Sequence, residues 1–402
     1  MLFNLIPIEF ILFGVTLLGI VLNHKKAIYI GLTGMIAVLL YSKFISNVNL
    51  TEHFIGNEHH EGEWRIMLNL FGLLTGFSIL AAYFEKSELP QYISTRLSHK
   101  WYGHLTLLII VFILSSFLDN IAAAMIGGSI AHVIYKGKVH IGFLAAIVAA
   151  SNAGGAGSVI GDTTTTMMWI EGVAASEVLH AYIASISAFL FFAFIASRQQ
   201  HKHHDIIVPD HEVHIDFQNL FIVALIIIGT IVTNVYLDFP ALGVWIAILI
   251  GNLFKKADWK QLGPASSGSV FLLSLVTIAS LMPVDQLPEP SVISSFGLGL
   301  VSSIFDNIPL TKLALEQNNY DWAILAYAVG FGGSMLWFGS SAGVALSGLY
   351  PQMRDVKKWI SMGWHIVVSY IIGFAILYLV LGWNAHTFTP KSQINQSENV
   401  EH

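Results

Sequence analysis

The chain has 402 residues, 55% of them hydrophobic and only 11% charged, against a charged share of about a quarter in ordinary soluble domains. A formal net charge of −6 is small for this length and Lys and Arg are few, so no basic stripe marks a nucleic-acid surface. The chain has no cysteine, which excludes a disulfide framework and thiolate chemistry.

The apolar residues come in runs rather than scattered through a core. A helix needs about 20 such residues to cross the hydrocarbon of a bilayer, with about 17 as a lower limit. The N-terminal stretch MLFNLIPIEF lacks the basic segment and small-residue cleavage site of a removed signal, so the first span is expected at 5–22. Further spans are expected at 27–42, 66–84, 139–176 (broken), 180–197, 219–236, 240–254, 265–282, 322–350 (broken) and 361–382. Two more apolar stretches, 101–135 and 291–318, read as re-entrant hairpins. No ten-residue alternation of a membrane barrel is present. The predicted fold is an all-α polytopic membrane protein.

Basic residues orient these spans. With the N-terminus outside, fifteen of the nineteen Lys and Arg residues fall inside, and only Lys43, Arg65, Lys312 and Lys391 fall outside. That is a strong positive-inside bias. It makes the hairpin at 101–135 enter from the cytoplasm and the hairpin at 291–318 from outside. The loop Ser42–Arg65 is then external and acidic, and Arg198–Gln218 is internal and rich in His and Asp.

The sequence also repeats itself. Ser115-Ser116-Phe117-Leu118-Asp119-Asn120-Ile121 matches Ser302-Ser303-Ile304-Phe305-Asp306-Asn307-Ile308. Each is followed by a broken span: Gly154-Gly155 precedes Gly161-Asp162, and Gly332-Gly333 precedes Gly339-Ser340. Each half therefore reads as five spans plus one re-entrant hairpin, with one broken helix. An odd number of spans inserts the halves in opposite directions, so an inverted repeat is expected, a common transporter construction. The predicted organisation is a first repeat at 1–200, a cytoplasmic His-rich linker at 201–218, a second repeat at 219–386 and a disordered tail at 387–402. Glycine pairs taken alone are packing sites more often than binding sites. Here each pair follows an Asp-Asn tip, twice over, which favours a binding site at mid-membrane.

The richest polar stretch runs from Ser151 and Asn152 through Gly161 and Asp162 to Thr166. It offers a carboxylate, an amide, hydroxyls and, at the break, free backbone carbonyls. These hard oxygen ligands suit Na⁺, Li⁺ or H⁺ rather than soft metals. Thr163 to Thr166 and Asp162 could equally cap the second half-helix. Asp119, Asp162 and Asp306 are the expensive residues, each costing about 2.5–3.5 kcal/mol at mid-membrane on insertion scales. One buried carboxylate can hold either a proton or a sodium ion, which is a sufficient basis for exchange. Asn120, Asn152 and Asn307 would add neutral oxygens, and a sodium site is expected among Asn152, Asp162, Asp119 and Asp306. No other cofactor is implied.

The seventeen His residues cluster mainly in loops, at His53, His59 and His60 and at His201, His203, His204, His211 and His214. His211-Glu212-Val213-His214 is one residue short of a metalloprotease box, so its two His would not share a helix face. Solvated loops are the first reading and pH sensing the second. His132 and His365, near span ends, are expected at the membrane interface.

Asn152-Ala153-Gly154-Gly155 through Gly161-Asp162-Thr163-Thr164-Thr165 resembles the signature of NhaD-type sodium/proton antiporters. Phe117-Leu118-Asp119-Asn120 and Phe305-Asp306-Asn307 resemble their hairpin tips, and Gly332-Gly333 through Gly339-Ser340-Ser341-Ala342-Gly343-Val344 their second broken span. The resemblance covers roughly residues 60 to 380. The wider ion transporter superfamily also holds arsenite and citrate or dicarboxylate carriers. The resemblance implies a homodimer in a bacterial inner membrane, each protomer with a scaffold and a moving transport domain. It carries site roles onto Asp119, Asn120, Asn152, Asp162, Thr164, Thr165, Asp306, Asn307, Ser340 and Ser341, with Gly154, Gly155, Gly161, Gly332, Gly333 and Gly339 at the breaks. One departure is Gly157, where the family commonly has an aromatic residue.

The expected activity is Na⁺(Li⁺)/H⁺ antiport, with cytoplasmic sodium exchanged for external protons. The alternative is a carboxylate (citrate-like) or arsenite transporter of the same superfamily. Dicarboxylate binders there typically carry Ser-Asn-Thr tips, whereas Asp tips repel an anion, and no Lys or Arg is expected at mid-membrane. An intramembrane aspartyl protease needs two carboxylates sharing a proton. The Gly-x-Gly-Asp of such enzymes is Val159-Ile160-Gly161-Asp162 here, without its first Gly, so an enzyme is not expected.

Overall fold

Without water to satisfy them, the N–H and C=O groups of an apolar chain are best paired along a helix. The computed structural model of the protein is helical accordingly. It describes residues 7–387 except 24–25, 57–61, 160, 208–212, 238, 284–288 and 305–306, and these described residues form no β-strand. In chain order the helices are α1 (Ile8–Leu22), α2 (Ala27–Phe44), α3 (Leu50–Ile55), α4 (Trp64–Lys86), α5 (Leu89–Arg96), α6 (Trp101–Ser115) and α7 (Asn120–Ile134). Then follow α8 (Ile141–Ala156), α9 (Thr163–Glu171), α10 (Ala175–Leu179), α11 (Ala181–His203), α12 (Phe217–Leu237), α13 (Pro240–Phe254) and α14 (Leu262–Ser280). The last are α15 (Val292–Ser302), α16 (Asn307–Gln317), α17 (Trp322–Gly332), α18 (Ser341–Leu349), α19 (Val356–Met362) and α20 (Trp364–Leu381).

Six stretches are long and apolar enough to cross a membrane: Ala27–Phe44, Trp64–Lys86, Ala175–His203, Phe217–Leu237, Trp259–Ser280 and Trp364–Leu381. The chain is thus an all-helical, multi-pass membrane protein. Two expected spans come out short. α1 and α13 have 15 residues each, about 22 Å of helix at 1.5 Å per residue, against about 30 Å of hydrocarbon. Pro240 opens α13 at its first position and extended Lys255 closes it; Pro7 and Asn23 bound α1. The expected hairpins are α6–α7 and α15–α16, and the expected broken spans are α8–α9 and α17–α18. The predicted tail lies outside the described residues from 388 onward, as do His211 and Glu212 of the His211–His214 motif.

The chain divides into two units, each drawing residues from both halves of the sequence. The first comprises residues 1–89, 215–287 and 354–356. In it α1 packs on α2, α2 and α4 on α14, and α12 and α4 on α13. Small residues let these helices approach closely. A Cβ on Gly243 of α13 would lie 2.0 Å from the Gly229 carbonyl of α12. The outer faces are apolar, with Val15, Leu18, Phe221, Ile228 and Val235 exposed as lipid-facing residues would be.

The second unit comprises residues 90–214, 288–353 and 357–402. Its centre is α8 and α17, which pack on each other and are buried along their whole lengths. A helix apolar on every side belongs inside protein. The hairpin α6–α7 packs on α8, α15 on α17, α18 on α7, and α11 runs beside α6, α8 and α20. His365, expected near a span end, stands at the start of α20 and is fully buried in protein.

The segment after α20 turns back onto the start of α17. The His386 N–H donates to the Tyr320 carbonyl, Trp322 Nε1 to the His386 carbonyl and the Asn384 N–H to Asp321 Oδ2. His386 Nε2 lies 2.6 Å from Glu177 Oε1. Partial burial opposes the imidazolium, but the Glu177 hydrogen bond, the Asn384 carbonyl and the charges of Glu177 and Asp321 outweigh it and raise the pKa above its ordinary 6.5. A group that binds its proton more tightly when folded contributes fully below its ordinary pKa and loses that contribution as pH rises through the raised one. Thermal melts of the purified protein are expected to show stability falling as pH rises above 6.5, and Glu177→Gln should flatten that fall. An identical pH profile in the variant would show that the pair contributes nothing.

Candidate functional site

Each broken helix carries a glycine pair near its end, and the pair is glycine for a steric reason. A Cβ on Gly154 would sit 2.1 Å from the Phe112 carbonyl of α6, and one on Gly332 would sit 2.2 Å from the Gly299 carbonyl of α15. The chain then folds back on itself. A Cβ on Gly155 would meet the Gly161 carbonyl at 2.8 Å, and one on Gly333 the Gly339 carbonyl at 2.6 Å. The hairpins attach the same way: Ser115 Oγ donates to the Ser151 carbonyl at 2.5 Å, and Ser302 Oγ to the Val329 carbonyl at 2.6 Å. Ser115 and Ser302 hold equivalent places before the two Asp-Asn tips, and Ser151 and Val329 equivalent places before the two Gly pairs.

Past the first break, Asp162 begins α9 as its N-cap and is 1% exposed. Its Oδ1 accepts from the Thr164 N–H at 2.9 Å and the Thr164 hydroxyl at 2.7 Å, and more weakly from Asn307 Nδ2 at 3.4 Å. Its Oδ2 accepts from Asn120 Nδ2 at 2.9 Å. Asn120 Nδ2 also donates to Asn152 Oδ1 at 3.1 Å, and Asn152 Nδ2 donates to Ser334 Oγ at 2.9 Å. One network thus joins residues from α7, α8, α9, α16 and the turn after α17. The capping role open in the sequence is present: Asp162 caps α9 while its second oxygen takes the Asn120 amide.

Other expected site residues have these partners. Asp119 is half-buried and caps α7, one oxygen accepting from the Ile121 N–H at 2.8 Å. Thr165 Oγ1 donates to the Ser158 carbonyl at 2.5 Å and the Asp162 carbonyl at 3.0 Å. Ser340 caps α18 through the Gly343 N–H, and Ser341 follows it, buried, in the first turn. Asp306 lies outside the described residues. Several carbonyls of the first break are engaged by hydroxyl side chains. The Ser151, Gly154, Ser158 and Val159 carbonyls accept from Ser115, from Ser116 and Tyr182, from Thr165 and from Thr166 respectively. Ser334, fully buried, is a member that sequence reading missed; its one signal was its place directly after Gly332-Gly333.

Chemically, the site is a buried carboxylate whose donors, among the described residues, are all neutral. An ion removed from water costs several kcal/mol that neutral hydrogen bonds only partly offset. A proton or a small cation completes such a site, and the oxygens of Asp162, Asn152, Thr164 and Ser334 are the hard donors that Na⁺ or Li⁺ accepts.

Helices broken at mid-length around a polar centre, with two hairpins, define a multi-pass membrane transporter. The chain matches the citrate transporter family over residues 3–332 and belongs to that family. It is 27% identical over 286 residues to sodium/proton antiporter 1 of Arabidopsis thaliana, covering 60% of this chain and 49% of that protein. It is 26% identical over 350 residues to the Na⁺/H⁺ antiporter NhaD of Halomonas elongata, covering 70% and 67%, and 25% identical over 340 residues to NhaD of Vibrio cholerae, covering 70% of each. The match thus spans about half the length of the plant relative and about two thirds of the bacterial ones.

The departure at Gly157 has a structural reason. A Cβ there would lie 2.5 Å from ring atoms of Tyr182, whose hydroxyl donates to the Gly154 carbonyl. Tyr182, on α11, supplies an aromatic ring over this break. Gly157→Phe is expected to destabilise the protein by about 1–3 kcal/mol through overpacking. Combined with Tyr182→Ala it should lose less than the two single changes together, by about 0.5–3 kcal/mol in a double-mutant cycle of thermal unfolding. Strict additivity would refute the exchange of one ring for the other.

Proposed function

We propose that the protein is a Na⁺(Li⁺)/H⁺ antiporter that exchanges cytoplasmic sodium for external protons by alternating access. The observation that carries this reading is Asp162, a buried carboxylate met by Asn120, Asn307 and Thr164 and by no cationic side chain among the described residues. One carboxylate that takes either ion, and is unstable with neither, couples the two fluxes. Relatives whose names give sodium/proton antiport support the same reading.

In this proposal Asp162, Asn120, Asn152, Thr164 and Asn307 form the ion site, with Asp119, Asp306, Thr165, Ser340 and Ser341 completing or supporting it. The unit that carries both hairpins and both broken helices is the transporting part, and the other unit is the scaffold of a homodimer. The two halves insert in opposite directions in a bacterial inner membrane, N-terminus outside. The matched serine and glycine contacts at the two breaks support a repeat, and the distribution of Lys and Arg supports the orientation.

In proteoliposomes holding an imposed pH gradient, Na⁺ or Li⁺ should collapse the gradient, and Asp162→Asn should reduce the rate to background. Transport of citrate or arsenite with no response to Na⁺ would overturn the proposal in favour of the carrier reading that the family description carries. Orientation has its own test, which the cysteine-free chain simplifies. A single cysteine replacing Val48, in the loop after α2, should react with an impermeant maleimide added to intact cells. Labelling only after the membrane is opened would invert the topology.

A further inference from the structure

We infer that His104, His201 and Asp205 form a binding site for a divalent transition-metal ion of the zinc class, separate from the proposed sodium site. His104 lies in the first turn of α6, His201 in the last turn of α11 and Asp205 just beyond it. Nearly a hundred residues separate His104 from the other two in sequence, yet one donor atom from each lies within 4.8 Å of the others.

His104 is the decisive member. Its side chain is fully buried, and Nε2 has no hydrogen-bond partner. The other ring nitrogen, Nδ1, lies 2.6 Å from the Tyr135 hydroxyl. The ring stacks on Tyr135 with centroids 5.5 Å apart and meets Phe143 edge-on at 6.3 Å. The imidazole is therefore fixed in orientation. With Nδ1–H donating to the Tyr135 oxygen, Nε2 carries the lone pair, which is how an outer-shell partner prepares a metal-binding histidine.

His201 and Asp205 supply the movable side. Their Nδ1 and Oδ1 are 2.9 Å apart, and their side chains are 40% and 64% exposed. An ordinary i,i+4 ion pair accounts for those two residues but not for the unpaired nitrogen of His104, whose ring centroid is 5.4 Å from that of His201. Two imidazoles and one carboxylate are the donor set of zinc and neighbouring divalent ions, with water free to take a remaining position. The nitrogens also distinguish this site from the all-oxygen network around Asp162. Zinc requires about 2.0–2.1 Å to each nitrogen and about 2.0–2.2 Å to a carboxylate oxygen, so binding calls on the two exposed side chains to close in, and their exposed side provides an entry path.

The neighbouring histidines are engaged differently. His204 Nδ1 lies 2.8 Å from the Asp205 carbonyl, His99 Nδ1 lies 3.2 Å from the Ile206 carbonyl, and His203 packs edge-on against His140. A metal held by His104 and His201 would fasten the base of the α6–α7 hairpin to the end of α11.

The test uses the full chain, free of any affinity tag and stripped with chelator, titrated with Zn²⁺ by calorimetry and with Co²⁺ by visible absorption. One equivalent of Zn²⁺ should bind and raise the melting temperature, and Co²⁺ should give the ligand-field bands of a histidine-bound ion. His201→Gln and Asp205→Asn should weaken binding by at least about tenfold, and Tyr135→Phe by about tenfold through loss of the orienting bond. The pair His203→Gln and His204→Gln should leave it unchanged. Should His104→Gln fail to fold, the two exposed variants carry the result. Absence of binding, equal binding in all variants, or binding lost only with His203 and His204 would overturn the inference. None of these readings depends on transport, so they stand or fall apart from the antiport proposal.

Discussion

Everything distinctive about this protein follows from breaking two helices where no water is available to repair them. A continuous helix pairs its own backbone, whereas a break at membrane depth leaves carbonyls and N–H groups that must find partners in the protein. At the first break the repair is made by hydroxyl side chains. Ser115, Ser116, Thr165, Thr166 and Tyr182 donate to carbonyls of the break, and Ser158 donates back to the Ser116 carbonyl. The hairpin is thus bound to the broken helix by the same bonds that make the break tolerable. The carboxylate of Asp162 and the amides of Asn120, Asn152 and Asn307 meet beside this repaired break.

The architecture was legible in the sequence because it is written in long-wavelength signals. Apolar runs gave the helices, two Gly-Gly pairs gave the breaks, and the Asp119-Asn120 tip gave the turn between α6 and α7. What escaped depends on contacts between residues far apart in the chain. Ser334 becomes part of the site only because the turn after α17 lies against Asn152, 182 residues away in sequence. Asp119 and Asn120 are adjacent, yet helix geometry divides them: the first caps α7, and the second points its amide to Asp162. Composition could not show that His104 belongs with His201 rather than with the loop histidines, nor that His365 is buried at the start of its span. The short lengths of α1 and α13 also came from local boundaries, Pro240 and Lys255 among them, that hydropathy averages over.

The Gly157 and Tyr182 pair shows how such a site can keep its shape while its residues change. Here an aromatic ring covers the break from α11, against the glycine at 157. The glycine at 157 is then the consequence of the tyrosine at 182, since the two cannot both carry bulk.

The citrate transporter family and the proposed sodium/proton exchange are reconciled by electrostatics at one residue. At an effective dielectric of about 20, two unit charges 4 Å apart interact by about 4 kcal/mol. An ionised Asp162 therefore disfavours a bound carboxylate by about a thousandfold and favours a cation by a comparable factor, since each 1.4 kcal/mol is tenfold. The same scaffold, with hairpins meeting two broken helices, would accept an anion if the carboxylate were replaced by a neutral hydrogen-bond donor. In this protein the second break already carries Ser340 where the first carries Asp162. Asp162 is the carboxylate that the amides of Asn120 and Asn307 meet, and one group neutralised by either ion, never both, is enough to make two fluxes exchange.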